Sequence, residues 1–189
     1  MQIAAIIPVA GLSTRMGVFK PLISLQGKPL LLHAVHSLQE GGVTDIVAVT
    51  GHRANELPPL PDGVRLIHND HFAQTDMMYS LALGLSALSA EAVCILPGDM
   101  PAVSGQTVSL LRATFQNASM PIVRPVYQGK CGHPPFLSAA LLRAFLSAKQ
   151  TGGLRALLAS HTEETLFLPV DDRGILLDAN YPKDIAALS

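Results

Sequence analysis

The sequence predicts an α/β fold: a three-layer α/β/α sandwich around a Rossmann-like, mostly parallel sheet. Three observations point there. Short apolar runs alternate with segments of helical periodicity, the order that builds βαβ units. The runs are continuous rather than alternating, as strands covered on both faces require. A glycine-bearing loop follows the first run directly, and open α/β sheets bind ligands at that end of their strands.

The predicted strands, in order, are residues 3–9, 45–50, 64–68 and 92–96. Residues 121–126 and 165–170 add two more, placed at an edge by their prolines. Between them, Leu31, Ala34, Val35 and Leu38 share one helix face. Leu81, Leu83, Leu85 and Leu88 lie in a helix apolar over much of its circumference. Val108, Leu111 and Phe115 form a third stripe, and Leu141, Leu142, Phe145 and Ala148 a fourth. No repeat, low-complexity tract or linker interrupts the pattern, so residues 1–189 read as one domain.

Composition narrows the function. Hydrophobic residues make up 49% of the chain and charged residues 14%, the reverse of a disordered chain. The formal net charge of -1 leaves no basic stripe for a phosphate backbone, so a nucleic-acid partner is not expected. The apolar start has no positive flank and is too short to span a bilayer, so no membrane association is expected. Cys94 and Cys131 make no disulfide framework, which fits the cytoplasm.

The most informative stretch is Pro8-Val9-Ala10-Gly11-Leu12-Ser13-Thr14-Arg15-Met16-Gly17-Val18-Phe19-Lys20. Gly11 and Gly17 allow a tight turn that brings backbone N–H groups close to an anion. Arg15 and Lys20 add two positive charges, so the loop suits a triphosphate. It is no P-loop, because the glycines stand six apart and no Lys-Ser/Thr follows the second. A third glycine at the dinucleotide-binding offset is also missing.

Simpler readings compete for several residues. Asp99 reads either as a metal ligand at a strand end or as the cap of a helix beginning near Val103. His33 and His36, with no carboxylate assigned to them, read as surface residues. His68, Asp70 and His71 are spaced for a metal site but equally suit a polar loop, and Cys131 is a weak candidate nucleophile. Met77 and Met78 read as packing residues or as a soft wall for a ligand.

The glycine loop resembles the signature of the MobA-like nucleotidyltransferases, roughly A-A/G-G-x-S-x-R-M-G-x-x-K. Further matches follow in order: Val49 to Arg53, Asn69, Asp76 to Leu81, Pro97-Gly98-Asp99-Met100-Pro101, Gly132-His133-Pro134, and Asp178 to Asp184. The resemblance implies a nucleotide-diphospho-sugar transferase-like fold. It also implies transfer of a nucleoside monophosphate from an NTP to a phosphorylated small-molecule acceptor, with Mg²⁺ as cofactor. Within the family the chain looks closest to the molybdopterin cytidylyltransferases, so a molybdoenzyme or its maturation factor is an implied partner.

The resemblance also assigns residues. Arg15, Lys20 and Asp99 would be catalytic. Ala10, Gly11, Ser13, Arg15, Gly17, Lys20, Thr50 and Gly98 would bind the nucleotide. Met78, Ser80 and His133 would face the acceptor. Asp99 and Asn180 would hold the metal, with Asp178 an alternative to Asn180. Ala10 stands where family members that use GTP tend to carry glycine, so CTP is favoured. The chain departs from the family pattern at Pro8, Val9, Asp76 and Lys183, which bears on the acceptor more than on the reaction. Two other readings remain open: a sugar-1-phosphate or phosphocholine-like acceptor, and a nucleotide-binding module without turnover.

Overall fold

The structure, a computed structural model, describes residues 1–11, 19–148, 151–181 and 184–185. Its strands are β1 (Ile3–Pro8), β2 (Ser24–Leu25), β3 (Lys28–Pro29), β4 (Ile46–Thr50), β5 (Val64–His68), β6 (Ala92–Ile95), β7 (Ile122–Tyr127), β8 (Lys130–Cys131), β9 (Phe136–Ser138) and β10 (Thr165–Pro169). Its α-helices are α1 (Leu30–Glu40), α2 (Met77–Ser86), α3 (Gly105–Asn117), α4 (Ala139–Ser147) and α5 (Gly153–Ser160). The main sheet runs in the order β10-β7-β9-β6-β1-β4-β5, and β8 pairs with β7. β4 and β6 flank β1 in parallel, β5 continues in parallel from β4, and β10 is parallel to β7. The short strand β9 is antiparallel to both β6 and β7.

Alternation along the strands divides the core into two faces. Ala5, Ile7, Ile46, Ala48, Cys94 and Val123 pack under α1 and α3, with Leu31, Leu38, Val108 and Leu111. Ala4, Ile6, Val47, Val49, Ile95 and Ile122 pack on the other side, with Leu81 and Leu85 of α2, Leu142 and Phe145 of α4, and Leu154, Leu157 and Leu158 of α5. Each fully buried aliphatic side chain contributes roughly 1.5–3 kcal/mol over its exposed state, so both helical layers are fixed to the sheet.

The structure corrects several expectations. The sequence predicts 64–68 as a covered strand, but β5 is an edge strand with Arg65 and Leu66 exposed. β7 lies inside the sheet despite Pro125. Its ladder with β9 ends at Val123, so the missing N–H at 125 breaks no bond to β9, while the Pro125 carbonyl accepts from Gly132 N. β10 does lie at an edge. Leu88 and Ala148 fall just beyond the ends of α2 and α4. Among the described residues, no helix is long and apolar enough to cross a membrane.

This topology positions the site. The chain leaves β1 toward β4 on one side and is joined by β6 on the other, which makes a switch point at the C-terminal ends of β1 and β6. Such a crevice is where open α/β sheets bind ligands.

Candidate active site

Two cavities open at that switch point. One, of about 160 Å³, is lined by Pro8, Val9, Gly11, Lys20, Pro21, Gly98 and Asp99. The other, of about 290 Å³, is lined among others by Ala10, Asn69, Phe72, Asp76, Met77 and Ser80. Pro8, Gly11 and Asp99 line both.

The smaller cavity is charged. Buried Phe19 anchors the chain, and a 3₁₀ turn with Pro21 near its start sets Lys20 at the rim. The turn after β6 is closed by Met100 N donating to Pro97 O, with Met100 buried beneath it. A side chain on Gly98 would overlap Val9, so glycine is required for the close approach of these two loops. Asp99 does not cap a helix. Ser104 caps α3, accepting from Thr107 N at 3.1 Å, which leaves the Asp99 carboxylate facing Lys20.

Lys20 Nζ donates to Asp99 Oδ2 at 3.1 Å and to Asn180 Oδ1 at 2.6 Å. The C-terminal segment is fastened in place: Ala179 N donates to Asp99 O at 2.8 Å, and Asp184 accepts from the backbone of Asn180 and Tyr181. Asn180 Nδ2 donates to Asp178, which orients Oδ1 toward Lys20. Upstream, Asp172 accepts from Ser104 N, Thr107 Oγ1 and Gly174 N, tying this segment to the start of α3. Sequence reasoning passed over Asp172, whose partners lie 65 and 68 residues away.

Two hard oxygen donors thus converge on one cation, an arrangement that fits a divalent ion. The sequence left Asp178 and Asn180 as alternatives; the geometry turns Asn180 toward the cation and Asp178 toward the Asn180 amide. Among the described residues no three His, Cys, Asp or Glu side chains form a metal cluster, and the carboxylate beside His68 is that of Asp70, at 3.7 Å. His36, read without a carboxylate partner, pairs with Glu40 at 3.0 Å one helical turn away, on the surface.

The larger cavity is mostly uncharged. Asn69, 1% exposed, donates from Nδ2 to Thr75 Oγ1 at 3.0 Å and to Ser80 Oγ at 3.4 Å, and accepts from His71 N. Asp76 caps α2 by accepting from Tyr79 N, so its departure from the family glycine serves the helix start. A chain of rings, Phe19–His52–Phe72–His68, runs along one side with centroids 5.9 to 6.4 Å apart.

Several expected site residues sit elsewhere or are not described. Ser13, Arg15, Gly17 and Lys183 lie outside the described residues. Thr50 is buried and donates to Ile67 O, tying β4 to β5 instead of lining either cavity. Met78 points into the core, and Met77 is the methionine that reaches the cavity. Ser80, expected on the acceptor side, shares a cavity with Ala10. His133, expected to face the acceptor, lines neither cavity, with Nδ1 3.3 Å from Ile95 O. Burial pushes the His133 pKa down, the Ile95 carbonyl opposes that shift, Arg124 lowers it further, and Asp99 and Asp178 raise it. Of the thiols, Cys131 is exposed and Cys94 is buried, which raises its pKa and leaves it inert.

Comparison with known proteins follows the same lines. The model of the MobA-like NTP transferase domain matches residues 5–165. A choline-phosphate cytidylyltransferase from Streptococcus pneumoniae is 36% identical over 86 residues, 42% of this chain; the match spans 38% of that relative's length. A nucleotidyl transferase from Methanothermobacter superposes with a TM-score of 0.83 at 24% identity, covering 99% of this chain and 95% of that one. Rv0371c from Mycobacterium tuberculosis, solved in complex with manganese, superposes with a TM-score of 0.77 at 20% identity, covering 100% and 98%. Both structural likenesses establish a shared fold. With the family model spanning most of its length, the chain belongs to the MobA-like NTP transferase domain family.

Proposed function

We propose that the protein is a nucleotidyltransferase that moves a nucleoside monophosphate, CMP by preference, from an NTP to a phosphate monoester, acting as one domain over residues 1–189. The observation that carries this reading is the convergence of Lys20, Asp99 and Asn180 where the two cavities meet. An acceptor phosphate oxygen attacks the α-phosphorus. The new P–O bond forms as the bond from the α-phosphorus to the bridging oxygen breaks, and the electron pair leaves with pyrophosphate. A phosphate monoester has a second pKa of about 6 and is largely ionised at neutral pH, so no protein base is needed.

The residues divide this work. Lys20, together with Arg15 of the same sequence motif, neutralises the β- and γ-phosphates and the charge developing on the leaving group. Asp99 and Asn180 would hold a divalent ion, Mg²⁺ in this reading. Such an ion would screen the two anions from each other and polarise the α-phosphate. The larger cavity takes the nucleoside: Ala10 forms its floor, Asn69 and Ser80 offer polar atoms, and Phe72 offers a ring. The Ala10 methyl narrows that floor and favours cytosine over a purine.

Molybdopterin is the acceptor that the sequence motifs favour. The likeness to a choline-phosphate cytidylyltransferase supports a second reading with a phosphocholine-like acceptor. A binding module without turnover accounts less well for a carboxylate and an ammonium facing each other beside a phosphate-sized cavity. The free thiols Cys94 and Cys131 suit the cytoplasm.

Pyrophosphate release from CTP, GTP, UTP and ATP, with molybdopterin, a sugar 1-phosphate or phosphocholine, separates these readings. The expected result is acceptor-dependent release, fastest with CTP and molybdopterin. Nucleotide binding without release from any pair would establish the binding module instead.

A further inference from the structure

Arg124 is a charge that the site described above does not use. It lies in β7, between buried Val123 and buried Pro125. Val123 packs under α3 and Ile122 faces α2 and α4, so alternation turns Arg124 to the α2 face, the side on which the larger cavity opens. The strand register puts it in one row with Pro135 and Ile95. Val123 and Cys94 both pair with Phe136, and Ile95 N donates to Pro135 O at 3.1 Å. The His133 ring stands over that row, bonded to the Ile95 carbonyl, and it feels the charges of Arg124, Asp99 and Asp178 together. These groups form one electrostatic cluster beside the reaction centre.

Arg124 Nε is buried and has no hydrogen-bond partner among the described residues. A buried guanidinium N–H without an acceptor is costly, and folded chains rarely keep one without a use. What satisfies a guanidinium best is a planar pair of anionic oxygens, as on a phosphate. The nucleotide reading already fills the Lys20 cavity with the triphosphate and the Ala10 cavity with the nucleoside. The acceptor then enters from the β6–β9–β7 side, where Arg124 stands.

We propose that Arg124 binds the acceptor's phosphate monoester, holding the attacking oxygens against the Asp99 edge. This rests on the nucleotidyl-transfer reading for its meaning but not for its test. Wild type, Arg124→Gln, Arg124→Lys, Lys20→Ala and Arg173→Gln are titrated with methyl phosphate by ³¹P NMR and, separately, with CTP. Arg173 lines a different basic cavity, with Tyr127 and Lys130, and serves as the control.

Arg124→Gln should weaken methyl phosphate about 10- to 100-fold, the scale of losing a hydrogen bond to a charged group, and leave CTP affinity unchanged. Arg124→Lys, which keeps the charge but loses the fork, should fall in between, and it carries the test if the glutamine variant does not fold. The proposal is overturned by undiminished methyl phosphate binding in these variants, by a loss confined to Lys20→Ala or Arg173→Gln, or by no binding to wild type. Phosphate binding through Arg124 in a protein that releases no pyrophosphate from any NTP would keep this site and sink the transferase reading instead.

Discussion

The two cavities that meet at Pro8, Gly11 and Asp99 share that edge and differ beyond it, with Lys20 facing Asp99 in one and Asp76 among mainly uncharged side chains in the other. The smaller has an ammonium, a carboxylate and an amide drawn into one network, with Lys20 15% and Asp99 27% exposed. The larger is walled by Ala10, Phe72, Met77 and a buried asparagine already engaged by its own neighbours. Charge that is preorganised and half-shielded acts strongly on developing charge in a reaction. Neutral walls of fixed shape discriminate by size and by hydrogen bonding, with smaller energies. In the proposed reading rate belongs to one cavity and selectivity to the other, and variants should separate the two.

The largest effect belongs to Asp99→Ala. It should lower kcat by at least about 100-fold, the scale of removing one preorganised electrostatic element, while circular dichroism shows the fold intact. A folded variant with near-normal turnover would remove Asp99 from the chemistry. Next comes Lys20→Ala. Its charge meets the triphosphate in ground and transition states alike, so KM for NTP should rise and kcat should fall, together lowering kcat/KM about 10- to 100-fold. Unchanged values for both would take Lys20 out of nucleotide binding and chemistry.

The neutral cavity should answer differently. Ala10→Gly should leave kcat with CTP nearly intact and narrow the preference for CTP over GTP by about tenfold, the low end of what one methyl group is worth in a pocket. The measurement is kcat/KM for both nucleotides with one acceptor. A wild-type preference for GTP or ATP would break the assignment of this cavity to cytosine.

The smallest effect lies outside the lining of both cavities, at His133, whose pKa burial lowers from the ordinary 6.5. Above pH 6.5 the ring is neutral in folded and unfolded chains alike. As the pH falls below that, the unfolded chain takes up the proton first. Stability is therefore lost with acid until the lowered native pKa is passed. Urea melts between about pH 7 and 5 should show this slope in wild type and a flatter one in His133→Gln. Equal slopes would mean that the ring is not held neutral.

The charged cavity was more legible in the sequence than the neutral one, for a physical reason. Gly11, Gly98 and Asp99 follow directly on strands, where local spacing fixes their place, and Lys20 was found through the glycine-bearing motif. Asn180 joins Lys20 across 160 residues, and only the family motif signalled it. Met77 and Met78 are adjacent, and a helix start decides which of them faces the cavity; helical periodicity does not fix a starting register that finely. The longer strands were legible through their apolar runs, whereas their order was not, and β9 has three residues, too few to show a period. α5 was hidden behind Gly152 and Gly153, both at positive φ, although Leu154, Leu157 and Leu158 repeat at helical spacing. β5 was read as covered, although Arg65 is the kind of charge that protects an exposed edge strand. Arg124 carried no signal at all, since a single arginine in a strand reads as a surface residue.

The most direct test of the account is pyrophosphate release by wild type with CTP, a divalent ion and a phosphate-monoester acceptor, compared with the same mixture lacking either the ion or the acceptor. The account predicts release only in the complete mixture, since the proposed reaction uses both a divalent ion and the attacking phosphate. Release at the same rate without an acceptor, or none in any mixture despite tight CTP binding, would contradict it.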